Sequence, residues 1–537
     1  MTLRIISTSQ INTSVGGEIV NNLGSPNFTV ASGDEVVVFD NVTLAADGSL
    51  VDVSNLDDFD MVMNGDGFAG SNAFRMDYQS NLGTYDFEIS LNIGDEATIT
   101  SNVNLGFFGV LSSGLSLLQD GSEFRFDNAG TAKALQGRGF EMQSIAEVQA
   151  SNSGTVTAGQ GPAFLFENIM FADFINTGTA INTANSPTGV GTHLGAAVAF
   201  NSQVLNVQFT NTGTVSGNVL SLVSEATTSE NIVNAGTLSG DVFTSFFTNA
   251  ISEFTNSGQI LGMLDTRNGD DVVNNTGLIT GDVELGENED FFSNAGGGTV
   301  AGVINGDMGN DTIIGGTGAD EIDGGDDEDL IYGADGSDLI MGGVGEDTIY
   351  GDAGGDDLSG NEGIDIIYGG ADSDTLSGGD DNDFLFGGIG DDSLNGNNND
   401  DLLRGDAGDD TLSGGGGGDR LFGGSGDDLI IGGAGRDVMR GEAGADTFVY
   451  TSATDSTTAA ADRIRDFETG LDRIDLSEVE DFVFVGDNAF SGTGAEVRFQ
   501  TTSSGLRFEM DVDGNGTVDM RVNMNNVSTM TVDDFIL

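Results

Sequence analysis

Aspartate recurs at every ninth residue from Asp311 to Asp446, and this spacing could bind metal ions. With Gly306 as position one of a nine-residue unit, sixteen units follow without interruption up to Val449. Position one is always Gly, position six is always Asp, and position eight is always large and apolar. Position four is Gly, Asp or Asn, residue types that tolerate a left-handed backbone. The position-six residues are Asp311, Asp320, Asp329, Asp338, Asp347, Asp356, Asp365, Asp374, Asp383, Asp392, Asp401, Asp410, Asp419, Asp428, Asp437 and Asp446.

These constraints predict stacked coils that bind calcium. Each unit supplies a short strand with one inward apolar side chain and a Gly-rich turn, so two units make one coil. Stacking brings the aspartates of units n and n+2 to about 4.8 Å from each other, the spacing of neighbouring strands. Like charges at that distance require a cation with oxygen ligands between them, and Ca²⁺ fits this need. Sixteen units contain fourteen such pairs, and about fourteen Ca²⁺ ions would change the formal charge from -71 to roughly -43.

The repeat resembles the repeats-in-toxin (RTX) family, the haemolysin-type nonapeptide with the pattern G-G-x-G-x-D-x-U-x. The unit Gly342-Gly343-Val344-Gly345-Glu346-Asp347-Thr348-Ile349-Tyr350 matches that pattern at every defined position, and the resemblance covers 144 residues. It implies a right-handed parallel β-roll that is disordered without calcium and folds at extracellular calcium concentrations. A Gly/Asp-rich linker that binds nothing would not keep position eight apolar in every unit.

Composition limits the function classes. The chain has 87 acidic and 16 basic residues and a formal charge of -71, so nucleic acid is excluded as a partner and a divalent metal is favoured. It has no Cys, which removes disulfides and Cys-ligated zinc. No 18-residue apolar stretch occurs, so we expect no membrane insertion. The first 17 residues lack the apolar run of a secretory signal peptide.

A looser repeat precedes the nonapeptides. Its Asn residues stand at positions 128, 152, 176, 211, 234, 256, 275 and 294, in steps of 24, 24, 35, 23, 22, 19 and 19 residues. Coils of this size predict a parallel β-helix. The last steps approach the 18 residues of a β-roll turn, so the segments around Asp271 and Asp290 are interpreted as degenerate calcium units of one continuous β-solenoid. The 35-residue step, which holds the single histidine His193, predicts a loop.

The C-terminal segment from Asp462 to Leu476 is similar to the region that follows the β-roll in serralysin-like and other type I-exported proteins. There it caps the last coil and carries the export signal. The ending Val532–Leu537, an acidic pair followed by three apolar residues, looks like the terminal motif of that signal. The segment Asp511–Asp519 opens like an EF-hand loop, but Val522 stands where the bidentate Glu belongs, so a hairpin turn is the favoured interpretation.

Enzyme activity has weak support in the sequence. Serralysin-type proteolysis needs His-Glu-x-x-His, and that motif does not occur. The alternative is a polysaccharide-active β-helix enzyme, a uronate lyase or epimerase, which needs cations aligned in a groove. Arg125, Lys133 and Arg138 lie within one coil's length and are the candidates. Scattered surface charges that keep an acidic protein soluble are the favoured explanation of these three residues.

The sequence therefore predicts an all-β protein: a parallel β-helix running into a calcium-bound parallel β-roll as a continuous β-solenoid, with a small β-rich C-terminal cap. The expected domains are a β-rich N-terminal cap (1–100), the β-helix (101–305), the β-roll (306–450) and the cap with its secretion signal (451–537). We expect a non-enzymatic, calcium-dependent surface-layer, biofilm-matrix or adhesin protein of a Gram-negative bacterium. Its expected partners are calcium, the type I secretion machinery, and either further copies of itself or a cell-surface polysaccharide.

Overall fold

The computed structural model describes most of the chain as two compact units, Met1–Gly302 and Val303–Leu537. The described residues are 2–5, 35–38, 43–46, 51–54, 58–63, 66–69, 74–78, 88–93, 98–101, 106–110, 123–134, 138–143, 147–159, 161–183, 196–201, 204–222, 229–244, 251–503, 505–525 and 527–537. The predicted loop with His193 lies outside them. None of the described residues belongs to a helix long and apolar enough to cross a membrane.

The N-terminal unit consists of three parallel sheets to which successive coils add strands in order. Sheet 1 contains Thr2–Ile5, Glu35–Val38, Asp58–Met63, Glu88–Ile93, Glu123–Asn128, Glu147–Asn152, Phe171–Asn176, Asn206–Asn211, Ser229–Asn234, Ile251–Asn256, Val272–Asn275 and Phe291–Ser293. Sheet 2 contains Thr43–Ala46, Asp66–Ala69, Thr98–Ser101, Thr131–Ala134, Thr155–Ala158, Thr179–Asn182, Thr214–Ser216, Thr237–Leu238, Gln259–Ile260, Leu278–Ile279 and Thr299–Val300. Sheet 3 contains Val51–Ser54, Phe74–Tyr78, Gly106–Val110, Phe140–Gln143, Phe164–Glu167, Ala196–Asn201, Asn218–Leu222, Val242–Phe243, Leu264–Asp265 and Val283–Glu287.

The Asn residues that mark the coils in the sequence form one buried ladder at the end of sheet 1. Asn128 aligns with Asn152, and Asn152 with Asn176. Each side-chain amide Nδ2 donates to Oδ1 of the Asn one coil later, at 2.6–2.8 Å, from Asn128 through to Asn294. All eight side chains are fully or almost fully buried. Residues that are one predicted coil length apart are therefore paired on neighbouring strands of sheet 1.

Phenylalanine rings fill the interior of the N-terminal unit. The ring centroids of Phe126 and Phe140 lie 4.4 Å apart, and those of Phe166 and Phe200 lie 4.9 Å apart. Small residues share the core: Ala196 and Ala199 pack with Leu165. Strands from the first hundred residues also join the three sheets, since Glu88–Ile93 pairs in parallel with Glu123–Asn128. The domain boundary near residue 100 stays a prediction.

The C-terminal unit has two parallel faces, and its strands repeat every 18 residues, as with Thr312 and Leu330. One face contains Thr312–Thr317, Leu330–Asp335, Thr348–Ala353, Ile366–Ala371, Phe384–Ile389, Leu402–Ala407, Arg420–Ser425, Val438–Ala443 and Asp462–Ile464. The other contains Val303–Met308, Glu321–Asp326, Leu339–Val344, Asp357–Glu362, Thr375–Asp380, Ser393–Asn398, Thr411–Gly417, Leu429–Gly435, Thr447–Val449, Arg473–Asp475 and Phe535–Ile536. Every position-eight side chain, from Ile313 to Phe448, points inward and is at most 1% exposed.

A small cap follows the coils. Its strands are Val483–Gly486, Glu496–Thr502, Gly505–Asp511 and Met520–Asn525, and a single 3₁₀ turn spans Val532–Asp534. The last three strands pair antiparallel, and Met520–Asn525 then pairs in parallel with Asp462–Ile464. The chain's final strand, Phe535–Ile536, pairs with Arg473–Asp475, and Phe535 packs against Phe484 and Phe508. The predicted fold class, an all-β solenoid with a β-rich cap, is confirmed, while continuity between the two units stays a prediction.

Candidate calcium site

The position-six aspartates form a ladder on each side of the roll, and the backbone fixes one carboxylate oxygen of each of the fourteen aspartates from Asp329 to Asp446. The N–H of Asp311 donates to Oδ1 of Asp329 at 2.8 Å, and the N–H of Asp320 donates to Oδ1 of Asp338 at 2.9 Å. The same bond joins all fourteen n, n+2 pairs, at 2.8–3.1 Å. Stacking therefore brings the predicted residues together and orients every carboxylate in the same way.

The second oxygen, Oδ2, is buried without a hydrogen-bond partner in most of these residues. Such orphaned oxygens belong to Asp320, Asp329, Asp338, Asp347, Asp356, Asp365, Asp374, Asp383, Asp392, Asp401, Asp410, Asp419, Asp428 and Asp437. A buried polar atom without a partner is costly, and a buried charge more so. A hard cation with oxygen ligands would remove this cost, so the donor set fits Ca²⁺.

Position one must be Gly because Oδ2 occupies the space of a side chain. A Cβ built on each position-one Gly would stand 1.8–2.9 Å from Oδ2 of that unit's own aspartate. At Gly360 the distance would be 2.0 Å to Asp365. The invariant Gly therefore provides the space that the carboxylate of the invariant Asp occupies.

Residues with positive φ shape the turns at two positions, four and two, with Gly336 as the exception at position four. Position four has positive φ where it is not Gly, with values of 70–82° at Asp327, Asp372, Asp381 and Asn399, as its residue types indicate. Position two also has positive φ in all sixteen units, including 79° at Ala334 and 69° at Glu442. Sequence reasoning missed position two although the signal was present, because fourteen of its sixteen residues are Gly, Asp or Asn, the types that indicated a left-handed backbone at position four.

Burial raises the pKa of the ladder carboxyls in the cation-free chain. The pKa of Asp347 and of Asp365 rises to about 7, and that of Asp401 to about 8, chiefly because burial disfavours the charged form. Repulsion from the neighbouring aspartate of the ladder adds to each rise, while the backbone N–H bond opposes it. Without a cation, these groups therefore bind protons more strongly in the coils than in the unfolded chain.

This shift predicts that protons partly replace calcium. A carboxyl whose folded pKa is raised contributes stability below its ordinary pKa and loses that contribution as the pH rises through about 7. We therefore expect the β-roll of the calcium-free chain, unfolded at pH 8, to gain β structure between pH 8 and pH 5, above the isoelectric point of about 4.1. Circular dichroism in calcium-depleted buffers measures this gain. A signal that stays flat over that range would contradict the role assigned to burial.

The aspartate ladders extend beyond the nonapeptides at their C-terminal end. The N–H of Asp437 donates to Oδ1 of Asp462 at 3.0 Å, and the N–H of Asp446 donates to Oδ1 of Asp472 at 3.1 Å. Sequence reasoning did not select Asp462 and Asp472 as ligands, because 25 and 26 residues rather than 18 separate them from their partners. The available signal was local: each is followed by Arg and then Ile, the Asp-x-apolar order of positions six to eight.

Asp271 and Asp290 repeat this arrangement inside the N-terminal unit. The N–H of Ser252 donates to Oδ1 of Asp271, and the N–H of Asp271 donates to Oδ1 of Asp290, both at 2.6 Å. Asp271 is 1% exposed and its Oδ2 has no hydrogen-bond partner. Burial raises its pKa to about 8, and the charges of Asp290 and Glu230 add to the rise.

The turns before Asp271 and Asp290 also have the backbone of the nonapeptides. Positive φ occurs at Arg267 and Gly269 before Asp271, and at Gly286 and Asn288 before Asp290. These residues stand where positions two and four stand in a nonapeptide. The segments interpreted as degenerate calcium units thus share both the turn and the carboxylate orientation.

The Asp511–Asp519 segment is the turn of a β-hairpin, as predicted, because the strands on either side pair antiparallel. Oxygens of Asp511, Asp513 and Asp519 lie within 4.8 Å of one another. Both oxygens of Asp511 already accept hydrogen bonds, from the N–H groups of Asn515 and Gly516.

The cations considered for a polysaccharide site do not converge. Arg125 lies on sheet 1, Lys133 lies on sheet 2, and Arg138 precedes the sheet 3 strand Phe140–Gln143. Arg138 forms an ion pair with Glu141 at 3.0 Å. The three side chains therefore leave the coil from different sides.

Comparison with known proteins agrees with this geometry. The RTX calcium-binding nonapeptide repeat model matches within residues 305–430, and the peptidase M10 serralysin C-terminal model matches residues 418–537. This chain is an RTX repeat protein with a serralysin-like C-terminal region. Such repeats bind calcium, and the two matches together indicate a secreted calcium-binding protein.

Relatives match only part of this RTX protein. Serralysin A and serralysin C of Dickeya chrysanthemi are 38% and 37% identical over 92 residues, which is 16% of this chain and 19% of each relative. The metalloprotease AprA of Pseudomonas entomophila (strain L48) is 38% identical over 101 residues, 17% of this chain and 20% of that protein. The chain thus spans about a fifth of the length of these curated relatives.

A solved structure with 32% identity is the AlgE6R3 subunit of the Azotobacter vinelandii mannuronan C5-epimerase. The match covers 26% of this chain and 80% of that one, with a TM-score of 0.21.

Proposed function

We propose that this protein is a secreted structural or surface protein, of the surface-layer, biofilm-matrix or adhesin type, whose β-roll folds when calcium binds after type I export. The observation that carries this proposal is the ladder of buried carboxylate oxygens. In the coils these oxygens lack partners, so the fold is costly where calcium is scarce and stable where it is abundant. A chain that stays unfolded until it meets calcium can be exported through a narrow channel.

The proposed ligands are the sixteen position-six aspartates together with Asp271 and Asp290. Each would offer Oδ2 to a Ca²⁺ ion, and in all of them except Asp311 and Asp320, which begin the ladders of the roll, Oδ1 would stay bonded to a backbone N–H of the preceding coil. Turn carbonyls would complete the coordination, as is usual for this ion. The calcium would neutralise the aligned charges and fix the stacking of neighbouring coils.

An enzymatic role is not proposed, because Arg125, Lys133 and Arg138 project from different sides of the coil. The C-terminal export role rests on the serralysin-like match at residues 418–537. The proposed signal includes Phe535 and Ile536, which form the last strand of the folded cap. Export would therefore require that the secretion machinery binds the chain before the cap folds.

The proposal predicts that the folding of the full-length chain depends on calcium. Without calcium at pH 8, we expect amides of the roll, including those of Asp347 and Asp365, to exchange rapidly with solvent. Calcium at millimolar concentration should protect them, because the N–H···Oδ1 bonds form only when the coils stack. Hydrogen exchange with mass spectrometry measures this protection. Equal protection with and without calcium would overturn the proposal.

Asp271→Asn and Asp270→Asn form a matched pair that tests the upstream ligands. The neighbouring Asp270 is exposed, so its substitution removes the same charge without touching the ladder. We expect native mass spectrometry to count fewer bound Ca²⁺ ions in the Asp271→Asn variant, and the wild-type number in the Asp270→Asn variant. Equal counts in both variants would exclude Asp271 while leaving the nonapeptide sites intact.

A further inference from the structure

The two faces of the β-roll carry different outward side chains. We define the aromatic face as positions seven and nine of the strands from Thr312–Thr317 to Val438–Ala443. These sixteen positions include no Asp or Glu in a chain with 87 acidic residues, and they include six aromatic residues and three arginines. The opposite face carries Glu321, Asp323 and Asp357, and several Ser and Thr residues, at the same positions.

The aromatic residues of this face form a continuous outward stack. The ring centroids of Tyr332 and Tyr350 lie 4.9 Å apart, those of Tyr350 and Tyr368 lie 4.8 Å apart, and those of Tyr368 and Phe386 lie 4.9 Å apart. The interplanar angles are only 5–12°. Phe384, on the same strand as Phe386, is 40% exposed. Solvent therefore reaches an ordered apolar surface.

Arginines follow the aromatic stack along the same face. Arg404, Arg420 and Arg440 occupy the three coils after Phe386, and Arg404 and Arg420 are exposed. The guanidinium carbons of Arg420 and Arg440 lie 5.7 and 5.8 Å from the ring centroid of Phe422. Arginine and aromatic rings thus already contact each other within the face, in cation–π geometry.

The order of these residues is self-complementary. Counted outward from the coil of Phe384 and Phe386, the three preceding coils carry Tyr368, Tyr350 and Tyr332, and the three following coils carry Arg404, Arg420 and Arg440. Two such faces packed with antiparallel coil axes would place Arg404 opposite Tyr368 and Arg440 opposite Tyr332 of the other copy, because all four stand at position nine. Arg420 stands at position seven of its coil, so it would reach Tyr350 of the opposite coil diagonally. A twofold axis at Phe384 satisfies all these contacts twice, as in an isologous dimer.

We infer that the aromatic face is a dimer interface, and that its occupant is a second copy of this chain in antiparallel orientation. The chain carries a formal charge of -71, so two copies repel each other over most of their surfaces. Positions seven and nine of the aromatic face carry no acidic side chain. Of its cations, Arg404 forms an ion pair with Asp406 on the same strand, whereas Arg420 and Arg440 lie beside the Phe422 ring. This inference rests on the proposed function, because the face exists only when the roll has folded.

The expected dimer is weak. Seven coils at about 4.8 Å span about 29 Å, and the outward part of each strand is about 10 Å wide. This contact of roughly 290 Å² on each copy is well below the ~800 Å² per partner of a standard specific interface, so we expect a dissociation constant on the order of hundreds of micromolar or weaker. Such a contact suits a protein that assembles only when it is concentrated outside the cell.

Sedimentation of the calcium-loaded full-length chain tests the interface. We expect a monomer–dimer equilibrium at concentrations of roughly hundreds of micromolar. Phe384→Glu should weaken the dimer by tenfold or more, because it places two carboxylates at the twofold axis. Thr375→Glu is the matched control, since Thr375 is an exposed position-seven residue of the opposite face, and it should leave the equilibrium unchanged. A wild-type chain that is folded but monomeric at high concentration would overturn the inference and leave calcium-driven folding intact.

Disulfide cross-linking tests the antiparallel orientation, and the chain has no cysteine of its own to interfere. Phe384→Cys should cross-link to itself across the twofold axis, whereas Thr375→Cys should not. Tyr332→Cys should cross-link only when mixed with Arg440→Cys. Self-cross-linking of Tyr332→Cys would indicate parallel faces and would contradict the proposed geometry. Each variant keeps the remaining face residues, so a loss of folding would appear separately as lost calcium-dependent protection.

Discussion

Replacing Gly414 with alanine is expected to destabilise the β-roll by about 3 kcal/mol, the upper range for forcing an extra methyl group into a packed interior. The added Cβ would stand 2.3 Å from Oδ2 of Asp419 and 2.6 Å from the carbonyl oxygen of Gly432. Neither atom can move freely, because Asp419 belongs to the aspartate ladder and Gly432 lies in the next coil of the same sheet. The carboxylate would have to turn away, and the calcium site would lose a ligand.

Gly416→Ala is the matched control for Gly414→Ala. Gly416 lies in the same turn, its φ is not in the left-handed region, and a Cβ there would meet only the carbonyl oxygen of Asn397, at 4.0 Å. We expect Gly416→Ala to change the calcium midpoint of folding very little, while Gly414→Ala raises it several-fold. Circular dichroism during a calcium titration measures both midpoints. Equal midpoints would show that position-one Gly serves some purpose other than making room for the carboxylate.

The calcium ladder could be predicted from the sequence because each of its structural requirements restricts one position of the repeat to one type of residue. Asp at position six and an apolar residue at position eight each follow from one physical need, a ligand and a core. The structure adds what spacing cannot contain, namely that Oδ1 and Oδ2 of the same Asp have different roles. Oδ1 accepts a backbone N–H from the preceding coil, and only Oδ2 remains for a cation. Residue spacing places a carboxylate as a single charge, so it cannot distinguish the role of Oδ1 from that of Oδ2.

The backbone conformation of the turns was harder to predict from the sequence than the ligand and core positions. The left-handed turn at position two is present in every unit, but Ala334 and Glu442 have no preference for it. At these two residues the surrounding coils impose the conformation, whereas the other fourteen position-two residues are Gly, Asp or Asn and indicate it by type. In the same way, Asp462 and Asp472 continue the ladder although the intervening chain is longer than one repeat. Strand pairing, and not a constant repeat length, therefore places Asp462 and Asp472 in register with the ladder.

In the N-terminal coils, an irregularly spaced Asn motif corresponds to a regular column of aligned Asn side chains. The Asn positions were used only to measure coil length, since unequal steps argue against a tight repeat. In the structure the coils vary in length both between sheets 2 and 3 and between sheets 3 and 1, while sheet 1 keeps every Asn in register. The amide side chain can donate and accept at once, so a column of Asn can satisfy itself without water or charge. This property explains why Asn, rather than Asp or Ser, recurs at this position.

Asn275→Ala therefore tests whether the Asn ladder stabilises the N-terminal unit. Asn275 accepts from Nδ2 of Asn256 and donates to Oδ1 of Asn294, both at 2.7 Å, and all three side chains are fully buried. Alanine would leave a donor and an acceptor in the interior without these bonds. We expect the free energy of unfolding of this unit to fall by about 1–3 kcal/mol, the usual cost of an unsatisfied buried polar group.

Asn274→Ala provides the control, because Asn274 is the preceding residue on the same strand and its side chain is exposed. Both substitutions shorten the same side chain by the same atoms, so a difference between them reports burial and ladder bonding alone. Hydrogen exchange of peptides from residues 251–300, measured with calcium present so that the roll stays folded, would localise the loss to these coils. If both variants exchange alike, the ladder marks the register of sheet 1 without stabilising it. A selective loss in Asn275→Ala would make the ladder the calcium-independent counterpart of the aspartate column, with amide groups providing internally the pairing that the carboxylates obtain from a metal.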